Sequence, residues 1–279
     1  MRSLLFAPAG RADLVAKLPR SRPDAAIIDL EDAVPPAHKE DARSALASLV
    51  GDLLADAPGL ATYVRVNAPG TSWFPDDVEA LPAGLAGIVV PKLEHPEQLT
   101  EVSDALVGAG RDGLAVIAGL ETARGILDVR DLLGGPVTAA YFGAEDYIAD
   151  LGGVRSAGAQ EVLYARSRVA LACRVAGVLA LDQVVVDIHD ADAFRADAAR
   201  GRALGYRGKL CIHPSQVALA REAFTPSHEE VAAARELLAE AEGAAADGRG
   251  AIVVAGAMVD EPMLRTARDV VARAGDGST

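Results

Sequence analysis

Short apolar runs recur eight times along this chain, and stretches with helical spacing separate them. The runs are SLLFAPA (3–9), AAIIDLED (25–32), TYVRVNA (62–68), GIVVPKLE (87–94), LAVIAGLET (114–122), TAAYFGAED (138–146), QVVVDIHD (183–190) and GKLCIHPSQ (208–216). Several are apolar throughout, the pattern of strands covered on both faces. Eight strands alternating with helices is the arithmetic of a (β/α)8 TIM barrel, which takes about 250 residues. The chain's 279 residues therefore hold one α/β barrel and a short extension. A doubly wound open sheet of eight strands is the structural alternative. Composition supports close helix-on-sheet packing: 57 residues are alanine, so the apolar fraction reaches 51% with only 4% aromatics. Alanine favours helix and takes little space.

The pattern changes after residue 216, and the division expected is a barrel over 1–225 and an extension over 226–279. Ser227 is placed to cap a helix over 228–247, with Glu230 at the capping-box position. The apolar segment AIVVAGAMVD and a last helix from about Pro262 follow. GAAADGRGA (243–251) reads as a hinge and RAGDGST (273–279) as a fraying tail. The extension is either a packing appendage or a lid.

A net charge of −13 argues against nonspecific binding to nucleic acid or an anionic membrane. No run of about 18 apolar residues is present, so no membrane span is expected. Cys173 and Cys211 lie apart in apolar stretches without metal or redox spacing, and read as reduced core residues of a cytoplasmic protein.

Polar residues gather at one end of the expected strands: Asp29, Glu31 and Asp32; Arg65 and Asn67; Lys92 and Glu94; Glu121; Glu145 and Asp146; Asp187 and His189; His213. That end is the C-terminal one, where barrel enzymes carry their chemistry. Glu121 and Asp146 close adjacent strands about 5 Å apart, so both can reach one hard cation. Two carboxylates with open positions suit Mg2+, with Mn2+ as a substitute; the alternative is a salt bridge from each to an arginine such as Arg124. Glu31 and Asp32 are candidates to act through cation-bound water, and Asp29 to be an acceptor inside the barrel. Arg65 is either a counter-ion or an oxyanion clamp, and Lys92 has the same two readings, with a Schiff base as a third. His189 and His213 read as structural histidines. The loop basics Arg11, Lys17, Arg20 and Arg22 are either a phosphate contact or a solvated face. GAGRDG (108–113) spells a dinucleotide fingerprint but follows a helix and precedes a strand, the wrong order for that role.

LLFAPA, IIDLEDAV, VRVN, VPK, ETARG, FGAEDYIADLG, CIHPSQ and GAMVDEP occur in this order from Leu4 to about Val271. The series resembles the citrate lyase β-subunit-like (CitE-like) proteins of the HpcH/HpaI aldolase and citrate lyase superfamily, which includes malyl-CoA and citramalyl-CoA lyases. Ala9 stands where many relatives have glycine, so the first loop is not carried over. The resemblance implies a phosphoenolpyruvate/pyruvate-type barrel, Mg2+ on Glu121 and Asp146, and substrate contacts from Arg65, Lys92, Gly143 and Ala144. It also implies that the extension covers a neighbouring subunit's site and delivers Asp260, in a homotrimer or hexamer. The implied reaction is cleavage or formation of a β-hydroxyacyl-CoA, giving acetyl-CoA and an oxo acid, with Arg65, Asp260, Glu31 and Asp32 as catalytic groups. A citrate lyase β subunit acting on a citryl-acyl carrier protein and a class II pyruvate aldolase are the alternatives.

Overall fold

The computed structural model describes residues 1–246, 252–254 and 257–275. Eight parallel strands close into a barrel in chain order: β1 (Ser3–Pro8), β2 (Ala25–Asp29), β3 (Ala61–Arg65), β4 (Gly87–Val90), β5 (Ala115–Leu120), β6 (Val137–Phe142), β7 (Leu179–Asp182) and β8 (Gly208–Cys211). The open doubly wound sheet is thereby excluded. Leu4, Ile27, Tyr63, Val89, Ile117, Ala139, Leu181 and Leu210 form the buried cluster inside the barrel. The alternate residues Ile28, Val64, Ile88, Val116 and Ala140 are also fully buried. They face the surrounding helices, because side chains alternate along a strand. Ala165, Ala198 and Ala220 are buried on those helices and let them lie close to the strands.

The seventh strand differs from the sequence expectation. The β-branched run 183–190 is a loop, and the strand is the preceding segment Leu179–Asp182. Gly177, at φ 72°, ends the helix Gln160–Ala176 in the left-handed conformation that glycine adopts without cost. The chain can therefore enter β7 two residues later. Leu181 then points into the barrel and Asp182 outward.

Asp182 joins a fully buried ionic network outside the barrel wall. Arg166, from the helix Gln160–Ala176, lies 2.6 Å from Asp182 and 3.0 Å from Asp197. Lys209 of β8 lies 2.8 Å from Asp182 and 2.6 Å from Asp197, which sits on the helix Ala191–Leu204. Gln183 Nε2 also donates to Asp197, and Tyr206 Oη donates to the Arg166 carbonyl. Burial weakens an ionised Asp197, yet Lys209 and Arg166 outweigh that and hold its pKa down to about 2. Two cations and two carboxylates balance where little solvent can screen them, so each charge depends on its partners.

Met1–Glu222 and Ala223–Thr279 form two compact units. The second contains the helix His228–Ala246, an antiparallel pair β9 (Ile252–Val254) and β10 (Ala257–Val259), and the helix Glu261–Gly275. Ser227 and Glu230 make the expected reciprocal cap: Glu230 N–H donates to Ser227 Oγ, and Ser227 N–H to Glu230 Oε2. The segment 243–251 is helical to Ala246, and its remaining residues lie outside those described, as do the last four of the tail 273–279. Among the described residues no helix is long and apolar enough to cross a membrane.

Removing one member of the buried network leaves its partners unpaired. Lys209→Met is expected to lower stability by about 3–5 kcal/mol in denaturant unfolding. Arg11→Ala, which breaks an exposed pair with Asp13, should leave the unfolding midpoint nearly unchanged.

Candidate active site

The residue parity that fills the barrel also carries charge to its C-terminal mouth. Asp29 follows Ala25 and Ile27 on the inner face of β2, and Arg65 follows Tyr63 on β3. The two are register partners and form a bidentate pair, Nε–Oδ1 2.7 Å and Nη2–Oδ2 2.6 Å. Arg65 Nη1 also lies 3.0 Å from Glu31 Oε2. Burial opposes the guanidinium charge, but Asp29 and Glu31 outweigh it and push the Arg65 pKa further up. Arg65 is thus a permanently charged group held in one orientation.

The β2 loop is braced from behind. Lys39 Nζ donates to the carbonyls of Leu30 and Glu31, and Asn67 Nδ2 donates to the Leu30 carbonyl. Asp77 in turn accepts from the Asn67 N–H and from Arg43. Asn67, polar at a strand end, therefore holds the loop.

Lys92 is the next cation around the mouth. Its ammonium binds Glu31 and lies 3.2 Å from Asp32 and 3.6 Å from Asp146. Burial disfavours its charge, but Glu31 outweighs burial and raises its pKa. Its backbone is left-handed, at φ 53°, a conformation that costs a residue with a Cβ about 1 kcal/mol or more. In that conformation its N–H donates to Glu121 Oε1 at 2.9 Å. Tyr141 Oη donates to the same oxygen at 2.8 Å.

The Glu121 side chain is buried, and burial together with the Asp146 charge pushes its carboxyl up to about 7. The salt bridge to Arg124 considered from sequence is not formed; Arg124 lies 3.5 Å from Asp128 instead. Glu121 Oε2 faces Gly143, where a Cβ would come within 2.3 Å of it. The absent side chain is what lets Glu121 pack directly against Gly143, just before the helix Ala144–Leu151, whose first turn carries Asp146. Two carboxylates that line one cavity, in a local excess of negative charge, fit a hard divalent cation. Among the described residues no three His, Cys, Asp or Glu side chains form a ready cage, so water or substrate would fill the other positions.

A cavity of about 470 Å3 lies over these groups. Asp29, Asp32, Arg65, Glu121, Tyr141, Gly143, Ala144 and Asp146 line it, together with Phe6, Val184, Leu210 and Ile212. Eight of the expected site residues thus meet at one mouth: Glu31, Asp32, Arg65, Lys92, Glu121, Gly143, Ala144 and Asp146. Asp260 belongs to the second unit, exposed and directly before the helix Glu261–Gly275. His189 and His213 line a separate cavity of about 320 Å3, where His213 Nδ1 lies 2.7 Å from Ser215 Oγ. Arg11 and Lys17 both contact Asp13. Tyr141 was not picked out from sequence; its spacing of two residues before Gly143, on the inner face of β6, was the available signal.

The charge on Glu121 has a consequence for stability. Its pKa is raised, so ionisation destabilises the cation-free fold, increasingly from the unfolded value near 4.5 up to about 7. Cation-free Glu121→Gln should therefore melt above the wild type at pH 8, with the gap closing toward pH 4.5. A gap of the opposite sign at pH 8 in thermal melts would contradict this account of the site.

Comparison with known proteins places this geometry. The family model described as HpcH/HpaI aldolase/citrate lyase matches residues 2–214. A citrate lyase subunit beta-like protein of Deinococcus radiodurans is 54% identical over 274 residues, covering 97% of this chain and 96% of that one. A mitochondrial citramalyl-CoA lyase of Mus musculus is 32% identical over 291 residues, covering 97% and 85%. Among solved structures, the CitE protein of Mycobacterium tuberculosis in complex with magnesium, acetoacetate and coenzyme A superposes with a TM-score of 0.82 at 37% identity, covering 99% of this chain and 100% of that one. Closed barrel, clustered mouth residues and full-length similarity agree: the chain belongs to the HpcH/HpaI aldolase/citrate lyase family.

Proposed function

We propose that this protein is a Mg2+-dependent carbon–carbon lyase that cleaves, or forms, a β-hydroxyacyl-CoA, with acetyl-CoA and an oxo acid on the other side of the reaction. The observation that carries the reading is that Glu121 and Asp146 face one cavity together with an immobilised Arg65. The relatives named as a citramalyl-CoA lyase and as a CitE protein holding magnesium and coenzyme A support it.

Glu121 and Asp146 would hold the Mg2+, which when bound supplies Lewis acidity at the carbonyl oxygen where charge changes during C–C cleavage. Arg65 meets the enolate of the departing acetyl thioester. Its pairing with Asp29 means that little reorganisation is needed as that charge develops. Glu31 is engaged by Arg65 and Lys92, whereas Asp32 is more than half exposed. Asp32 is therefore the carboxylate available to take the β-hydroxyl proton. Lys92 screens the carboxylates around it, and Gly143 and Ala144 present backbone at the edge of the cavity. Asp260, delivered by the extension of a neighbouring copy in a homo-oligomer, returns a proton to the acetyl carbon.

The test is a Mg2+-dependent cleavage assay on citramalyl-, malyl-, citryl- and hydroxymethylglutaryl-CoA with free acetyl-CoA as the readout. At least one thioester should be cleaved, and Glu121→Ala should lose turnover together with cation dependence. Asp260→Asn should abolish solvent-deuterium exchange at the acetyl-CoA methyl while binding Mg2+ as the wild type does. Full lyase activity in Asp260→Asn would remove Asp260 from the mechanism.

A further inference from the structure

Glu121 takes its side-chain hydrogen bonds on one oxygen. Tyr141 Oη donates to Oε1 at 2.8 Å, and the Lys92 N–H donates to the same atom at 2.9 Å. A carboxylate oxygen has two lone-pair directions, so Oε1 is saturated. Among the described residues no donor reaches Oε2. Glu121 lines the cavity, and Oε2 is the oxygen it has left to offer there.

Each donor is held at Oε1 by a local concession in the backbone. Lys92 adopts a left-handed conformation at φ 53°. Tyr141, 2% exposed, stands on the inner face of β6 opposite its register partner Gly119 of β5. A Cβ on Gly119 would come within 2.5 Å of Tyr141 Oη and 2.8 Å of its Cζ. Glycine inside a strand weakens it and marks a close approach. Here the approach is that of the phenol, two residues before Glu121 and on the same face. Among the described residues the one hydrogen bond of the Tyr141 hydroxyl is the one to Glu121. Phenylalanine would fill the same space, so the hydroxyl is committed to that carboxylate.

The number of oxygens a carboxylate offers distinguishes hard cations. Ca2+ takes about 6–8 oxygens at about 2.3–2.6 Å in an irregular shell and accepts carboxylates through one oxygen or both. Mg2+ demands a near-ideal octahedron at about 2.0–2.1 Å. The short bite of a single carboxylate suits the longer bonds of Ca2+ and distorts that octahedron. Resting on the reading of Glu121 and Asp146 as cation ligands, we propose that Tyr141 is a positioning residue that sets cation selectivity. By occupying Oε1 beside the Lys92 N–H, it restricts Glu121 to one oxygen toward the metal and favours Mg2+ over Ca2+.

Calorimetric titration of the full-length protein with Mg2+ and, separately, with Ca2+ tests this without requiring turnover. Tyr141→Phe keeps the ring against Gly119 and removes only the hydroxyl. The ratio of Ca2+ to Mg2+ affinity should rise at least about fivefold, since ligand number and geometry decide between the two ions. Gly119→Ala, which crowds the same hydroxyl and the backbone of Pro91, should raise the ratio as well. Tyr63→Phe removes a buried phenol that has no hydrogen bond to Glu121 among the described residues, and should leave the wild-type ratio. An unchanged ratio in either folded variant at Tyr141 or Gly119 overturns the proposal. So does an equal rise in Tyr63→Phe, or a loss of affinity for both ions by one common factor in Tyr141→Phe. Mg2+ binding that is absent from the wild type, or that survives Glu121→Ala undiminished, overturns the cation site itself. Mg2+ binding lost in Glu121→Ala, with the ratio unmoved in Tyr141→Phe, overturns the role of Tyr141 alone.

Discussion

The bidentate pair between Asp29 and Arg65 is the interaction on which the mouth of the barrel depends. It joins neighbouring strands at register-matched positions and fixes a guanidinium that Glu31 also needs. Glu31 passes the constraint to Lys92, and the backbone of Lys92 passes it to Glu121. From β2 to β5 the carboxylates and cations therefore alternate in one connected chain. Displacing any member leaves a neighbour partly buried and unpaired, which is what makes the arrangement unique.

The same chain uses ionic networks on both sides of its barrel wall. At β2 and β3 the charges face inward and stay near solvent at the mouth. At β7 and β8 Asp182 and Lys209 face outward, sealed under two helices with Arg166 and Asp197. Turning charge outward at β7 and β8 leaves Val184, Leu210 and Ile212 to line the cavity there. The outer network thus anchors the part of the wall that is apolar inside, and the inner network places the charged groups opposite.

Much of this was legible in the residues, because strand periodicity and polar strand ends are local signals. The apolar runs overshoot the strands at their C-terminal ends by one to five residues, and the overshoot carries Glu31, Asp32, Lys92, Glu121 and Asp146. The pattern failed at β7, where LALD looks like the end of a helix and VVVD like a strand. Only the fold shows that Gly177 stops the helix and that Asp182 has two cations awaiting it. The role of Gly143 was legible only as a motif, since the close approach of Glu121 that demands a glycine there shows only in the fold. Arg166, Asp197 and Lys209 lie far apart in sequence, and nothing local marks them as partners.

The acidity of the chain takes on a specific meaning at this mouth. A surface charge of one sign mostly affects solubility and long-range attraction. Around the cavity, however, Asp29, Glu31, Asp32, Glu121 and Asp146 outnumber Arg65 and Lys92. Arg65 and Lys92 are shared among them, and burial together with the Asp146 charge raises the Glu121 pKa. On the proposed reading, a divalent cation held by Glu121 and Asp146 would cancel the repulsion between them and would stabilise the ionised, folded state by mass action. Cation binding and the integrity of the mouth would then be one equilibrium, because the buried Glu121 charge that the cation would offset is also the acceptor that holds the left-handed backbone of Lys92.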